Sequence, residues 1–265
     1  MPDGSYGIQL FNKYGHNIAT VNDINFSLRS SGQIHNWQFG KSNPAAGNSV
    51  TLDLTGFTCP IVFLKPMSAD QRVSCVAGNE REFTGASPGE SVTVEMKSSI
   101  YKWWNKDVGT IQYYVFDRWI PPERSLHGLQ LFNRGGSLIF DSGWYFMKIR
   151  NVFWLDPGYP NHSSVNPEGA NWTVIGSAGA GNLAMAMPVP RGWITWSWTG
   201  NNGTYLHECF HFSDWDNKIT ISLVPRGEYL WTPPRDGWAN TRSRSQVMVI
   251  DVDGLPTNYR GVNVI

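Results

Sequence analysis

One short phrase is written twice in this chain. Residues 7–18 read GIQLFNKYGHNI and residues 128–139 read GLQLFNRGGSLI; at an offset of 121 residues, seven of the twelve positions are identical. They are Gly7/Gly128, Gln9/Gln130, Leu10/Leu131, Phe11/Phe132, Asn12/Asn133, Gly15/Gly136 and Ile18/Ile139. A weaker echo sets YYVFD at 113–117 against VMVID at 247–251, now offset by 134. Self-similarity at long range constrains a fold more than any single motif, because it implies that one structural unit is used again. Two copies mean a duplication rather than a solenoid. The expected organisation is a first domain over 1–119, a Pro-containing linker over 120–124 and a second domain with longer loops over 125–265. The paired Pro121 and Pro122 suit a stiff, extended joint.

Each copy opens on an alternating segment and then a turn, Asn12-Lys13-Tyr14-Gly15 or Asn133-Arg134-Gly135-Gly136. Asn and Gly tolerate the positive φ that tight hairpins need. Short alternating or apolar runs follow throughout: INFSLRS, SVTLDL, PIVFLKP, SVTVEM and TIQYYVF in the first half; SLIFDS, NWTVIG, NLAMAM, GWITWSW, KITISLV and QVMVIDV in the second. Gly, Pro, Asn, Asp or Ser interrupt nearly every gap, and no stretch sustains a 3.6-residue period between caps. The pattern predicts an all-β protein, two tandem antiparallel β-sandwich domains of jelly-roll-like character related by duplication.

Composition removes whole classes of function. The 21 Lys and Arg balance 21 Asp and Glu, so the chain lacks the cationic excess of a general nucleic-acid binder. Aromatic residues reach 14%, which is enough apolar surface to argue against disorder. No apolar run approaches the ~20 residues of a membrane span, so no membrane insertion is expected. The first residues, MPDGSYGIQLFN, have no basic and apolar leader pattern, and no cleaved signal is expected. Three cysteines, Cys59, Cys75 and Cys209, without a CxxC spacing argue against a disulfide framework or a thiolate zinc site.

One segment carries a sharp chemical signature. His207-Glu208-Cys209-Phe210-His211 matches HExxH, in which two histidines ligate zinc from one helix face while the Glu activates water. The flanking sequence reads as strand, and on a strand the two histidines stand about 13 Å apart at ~3.3 Å per residue, too far to share a metal. His207, Glu208 and His211 are therefore metal candidates only if the segment is helical. Paired carboxylates could hydrolyse glycosides, but nothing in the sequence pairs any two of Asp53, Glu95, Asp117, Asp141, Glu208 and Asp251. No nucleophile elbow, P-loop or dinucleotide fingerprint is present. No catalytic residue and no cofactor is expected, and the chain reads as a non-enzyme.

The 13 Trp residues are uneven, with Trp37, Trp103 and Trp104 before the linker, Trp119 beside it and nine after it. Trp193, Trp196 and Trp198 crowd one run, and Trp215, Trp231 and Trp238 lie in loop-like sequence. Such residues either fill the core of helix-free sandwiches or stand exposed as protein anchors or sugar platforms. The loop over 233–245 adds Arg242 and Arg244 as candidate contacts.

The opening Tyr6-Gly-Ile-Gln-Leu-Phe-Asn12-x-x-Gly15, repeated as Gly128-Leu-Gln-Leu-Phe-Asn133-x-x-Gly136 and continuing to Phe140-Asp141-Ser142, resembles the start of tail-associated structural proteins of tailed bacteriophages. The first copy departs from that pattern, with Ala19-Thr20-Val21 in place of the second-strand motif. The resemblance implies a virion component of the tail or its tip, made in the host cytoplasm. It also implies assembly as a homo-oligomer and with other tail proteins, possible contact with a host surface glycan, and no catalytic residues. Sparse charge fits surfaces destined for protein neighbours.

Overall fold

A computed structural model describes the chain except residues 1–8, 12–16, 21–24, 41–48, 67–75, 85–92, 103–106, 134, 161–172, 189–190, 197–202, 214–217, 231–236, 239–243 and 265. The described residues form β1 (Gln9–Phe11), β2 (Asn17–Thr20), β3 (Phe26–His35), β4 (Ser49–Asp53), β5 (Ile61–Pro66), β6 (Val76–Thr84), β7 (Thr93–Tyr101), β8 (Thr110–Arg118) and β9 (Gln130–Phe132). They continue as β10 (Leu138–Asp141), β11 (Ile149–Leu155), β12 (Thr173–Ser177), β13 (Leu183–Ala186), β14 (Gly192–Trp196), β15 (Gly203–Ser213), β16 (Lys218–Leu230), β17 (Gly237–Trp238) and β18 (Ser245–Asp251). The sole helical element among them is one 3-10 turn, Asn36–Gln38. The protein is all-β, and every pairing between named strands is antiparallel.

The largest sheet has six strands in the order β11-β18-β13-β5-β8-β3. Three come from either side of the linker, and they join where Met185 pairs with Leu64. In each triplet the last strand of the chain order, β8 or β18, lies in the middle. These are the strands that carry the YYVFD and VMVID echo. One face of this sheet packs on a three-stranded sheet (β4-β7-β6) and a five-stranded sheet (β12-β16-β15-β14-β17). Ile111, Tyr113, Val115, Met185 and Val249 meet Leu52, Ile100, Phe210 and Ile221 in that core. The other face is buried too, with Phe63, Tyr114, Phe116 and Ile250 beneath Leu255, Met147 and Tyr259. Burial on both faces explains why β8 reads as a nearly unbroken apolar run. Its polar Gln112 is tolerated because the amide donates to the carbonyls of Gly32, Tyr113 and Thr257.

The two repeated phrases each form a hairpin. Gln130 pairs with Asp141, Leu131 with Phe140 and Phe132 with Leu138, with a bulge before the last pair. Gln9 with Thr20, Leu10 with Ala19 and Phe11 with Asn17 show the same register and the same bulge. In the second hairpin the Asn133 carboxamide accepts from the N–H groups of Gly135 and Ser137, both at 2.9 Å, and Gly136 turns at φ 78°. Gly128 is required at its foot, since it sits at φ 118° and a Cβ there would lie 2.2 Å from the Ser142 hydroxyl.

Candidate functional site

The HECFH segment lies in β15, a strand, in the middle of the five-stranded sheet. His207 faces Val224 and His211 faces Thr220 across the pair with β16. The one-face helical arrangement that zinc ligation by HExxH needs is therefore not formed. Glu208 is fully buried and held by Arg191, whose Nε donates to Oε2 at 2.8 Å and Nη2 to Oε1 at 2.6 Å. The Arg191 backbone N–H donates to the same carboxylate at 3.0 Å. Arg191 Nη1 also donates to the Asp156 carbonyl at 2.8 Å, Nη2 donates to the Tyr159 carbonyl, and the guanidinium lies 4.2 Å from the Trp238 ring. The carboxylate thus has both oxygens engaged by Arg191. Its role is to fasten the loop after β11 to β14 and β15. Among the described residues, no group of three His, Cys, Asp or Glu side chains is placed to hold a metal ion.

Of the other acidic candidates, Asp53 accepts from the Thr55 N–H and hydroxyl and Asp251 from the Asp253 N–H, while the Glu95 side chain lies outside the described residues. Asp117 is buried and accepts from the N–H groups of Thr58, Cys59 and Arg118 and from Arg29. Asp141 is buried and accepts from the Ser125 N–H and hydroxyl, the Gly143 N–H and the Gln130 amide. Burial alone would raise the Asp141 pKa, but these donors outweigh it and hold the carboxyl at about 2. The Phe140-Asp141-Ser142 signature is thus an anchor for the linker, with Asp141 tying down Ser125.

The tryptophans divide. Trp193 is only 5% exposed and packs edge-on against Trp238, centroids 5.2 Å apart at 83°, beside Leu206 and Leu223. As a candidate surface contact, Trp193 is corrected to an interior residue, and Trp238 is half-buried beside it. Trp196 lies in β14, but its side chain, together with Trp198, Trp215, Trp231 and Arg242, lies outside the described residues. Arg244 is exposed, 3.8 Å from Asp156. The apolar side chains that do stand in solvent were not singled out by the sequence: Trp154 at 68% on β11, Trp37 at 65%, and Leu126 at 93% with Leu129 and Phe132 around β9. Trp154 follows five half-buried residues of β11 and precedes the buried Leu155, so no alternation in the sequence marks it as exposed.

The sheet edges differ in the same way. Beyond β3 the backbone is capped, since Leu28 and Met147 N–H groups exchange with Tyr145 and Phe26 carbonyls, and Ser31 with Tyr259. Beyond β11 no strand is paired among the described residues.

A cleft of about 300 Å³ opens beside the linker. Leu28 and Pro121, both buried, line it with Trp144, Tyr145 and Tyr259. The Trp144 indole N–H donates to the Glu123 carbonyl at 2.6 Å. The Glu123 carboxylate accepts from the Tyr259 hydroxyl at 3.2 Å and from Arg260. Burial would raise the Glu123 pKa, yet its own backbone N–H and Arg260 bring it below the usual value. Burial, then the Glu123 charge, push Tyr259 up, so it stays a donor at neutral pH. Arg260 holds a left-handed backbone, φ 45°, and its guanidinium lies 5.5 Å from the Trp119 ring. The sequence marks 120–124 only as a Pro-containing linker, and tertiary placement alone brings Tyr259 and Trp144 to it.

No family model, curated protein or solved structure matches this chain.

Proposed function

We propose that this chain is a structural component of a bacteriophage tail or tail tip, incorporated in several copies and acting by protein–protein contacts rather than by catalysis. The observation that carries the reading is the β11 edge, beyond which no strand pairs among the described residues and on which Trp154 is exposed, set against a β3 edge that is capped. An open strand edge with a large aromatic beside it is a ready template for another chain, which soluble proteins normally blunt. The exposed Leu126 and Leu129, just before β9, and Phe132 at its end are further apolar side chains in solvent.

The finer architecture belongs to the same proposal: two tandem β-sandwich copies of jelly-roll-like character, arising by duplication. Support comes from the shared register and bulge of the two hairpins, and from the matching strand order of the two triplets. One chain would then occupy two quasi-equivalent positions in a symmetric particle. The sugar platform first attached to the Trp-rich run loses Trp193 to the interior and is not carried forward in that form.

Sedimentation of the purified chain together with mass spectrometry of tail particles tests the reading. The expected result is a defined oligomer that Trp154→Glu dissociates, and a chain present in the particles. A protein that stays monomeric at about 100 μM and is missing from tail particles overturns it.

A further inference from the structure

The cleft beside the linker is built from two kinds of surface. Its floor is apolar, Leu28 and Pro121, and its wall is aromatic, with the Tyr145 and Tyr259 rings 6.0 Å apart at 74°. Two rings near a right angle make a corner that receives the flat carbon face of one ring-shaped ligand. Tyr145 lines the cleft and remains 40% exposed. The polar groups decide the charge of the occupant. Glu123 is neutralised, one oxygen engaged by Arg260 and the other by Tyr259. Ser125 is spent on Asp141. Arg124 lines the same cleft, is exposed, and has no acceptor among the described residues. A guanidinium presents paired donors that match a carboxylate, and such charge-assisted pairs are about twice as strong as neutral ones.

We infer that the cleft is a binding subsite for a carboxylated pyranose, a hexuronic acid unit of an acidic polysaccharide, with the sugar face on Tyr145 and the carboxylate on Arg124. The volume of about 300 Å³ stands at the small end of ligand sites and suits one sugar unit rather than an extended chain. A quaternary ammonium would also value the aromatic corner, but it would face Arg124 and a Glu123 whose charge is already matched. The inference rests on the cleft alone and does not depend on the assembly reading.

Saturation-transfer NMR on the full chain tests it, with methyl glucuronide as probe and methyl glucoside as its uncharged twin. Methyl glucuronide is expected to bind in the millimolar range, about tenfold more tightly than the glucoside, the ratio that one charged contact of ~1.4 kcal/mol produces. Arg124→Gln, at an exposed position, should bring the glucuronide down to the glucoside's level. Tyr145→Ala should weaken both sugars by a similar factor. Equal binding of the two sugars, indifference to Arg124→Gln, no binding at about 20 mM, tighter binding of choline, or equal binding of linear glutarate would each overturn the assignment. Sedimentation of the same samples reads the assembly independently, so failure of one proposal is distinguishable from failure of the other.

Discussion

Two arginine–glutamate pairs sit in opposite settings of this molecule. Arg191 and Glu208 are 1% and 0% exposed, enclosed by β14, β15 and the loop after β11. Arg260 and Glu123 are 45% and 51% exposed, on the rim of the linker cleft. The same two side chains do different work. In the interior, desolvation makes each charge depend on the other, and the backbone carbonyls of Asp156 and Tyr159 complete the set of acceptors. At the rim, water and salt screen the pair, and its effect is to orient Glu123 and Tyr259 rather than to hold the fold. An ion pair in the same protein is therefore a structural rivet or a positioning device according to burial alone.

The strongest way to break that contrast is Glu208→Ala, which should cost about 3–5 kcal/mol in urea unfolding because it strands a buried guanidinium. A loss below about 1 kcal/mol would place Arg191 in a wetter site than its geometry indicates. The double variant Arg191→Met/Glu208→Met sharpens the point, since an apolar replacement of both partners should recover most of that loss. Asp141 is next. Its folded pKa of about 2 lies below the ordinary 3.8 of an aspartate, so its contribution is present above pH ~4 and lost as pH falls toward 2. The wild type should lose about 2 kcal/mol across that window, and Asp141→Asn should flatten the slope measured by unfolding at each pH. The smallest effect is expected from Arg260→Ala, under about 1 kcal/mol and shrinking further in concentrated salt. A loss as large as that of Glu208→Ala would erase the distinction.

Much of the β architecture was readable in advance because alternation and turn chemistry are local. The runs INFSLRS, PIVFLKP, TIQYYVF and QVMVIDV became β3, β5, β8 and β18, and the Asn133 turn formed where Asn and Gly demanded it. β6 was missed, since Val76–Thr84 carries Asn79, Glu80, Arg81 and Glu82 and shows no apolar alternation. That strand exists through its ladder with β7, a partner that no local pattern announces. The sites were less legible for the same reason. Arg191 follows a Pro-rich stretch with nothing to mark it, and it finds Glu208 only because β14 lies beside β15. Asp141 is visible in the sequence as a carboxylate, but its meaning requires Ser125, sixteen residues upstream, to fold back onto it. The glutamate of HECFH had a famous chemistry available to it, and strand geometry with one arginine withdrew it.

The placement of β8 and β18 has a consequence for how the chain is made. Each is the last strand of its triplet to leave the ribosome, yet each is the strand on which its two neighbours pair. β3 and β5 must wait for their shared partner until residue 118 has emerged, and β11 and β13 until residue 251, β13 having only its bridge to β5 before then. Synthesis therefore ends each triplet by inserting its keystone, with apolar edges held open in the meantime. A stop codon shortly before residue 245 would remove the middle of a sheet, not its border, and should yield an aggregate in place of a slightly shorter protein.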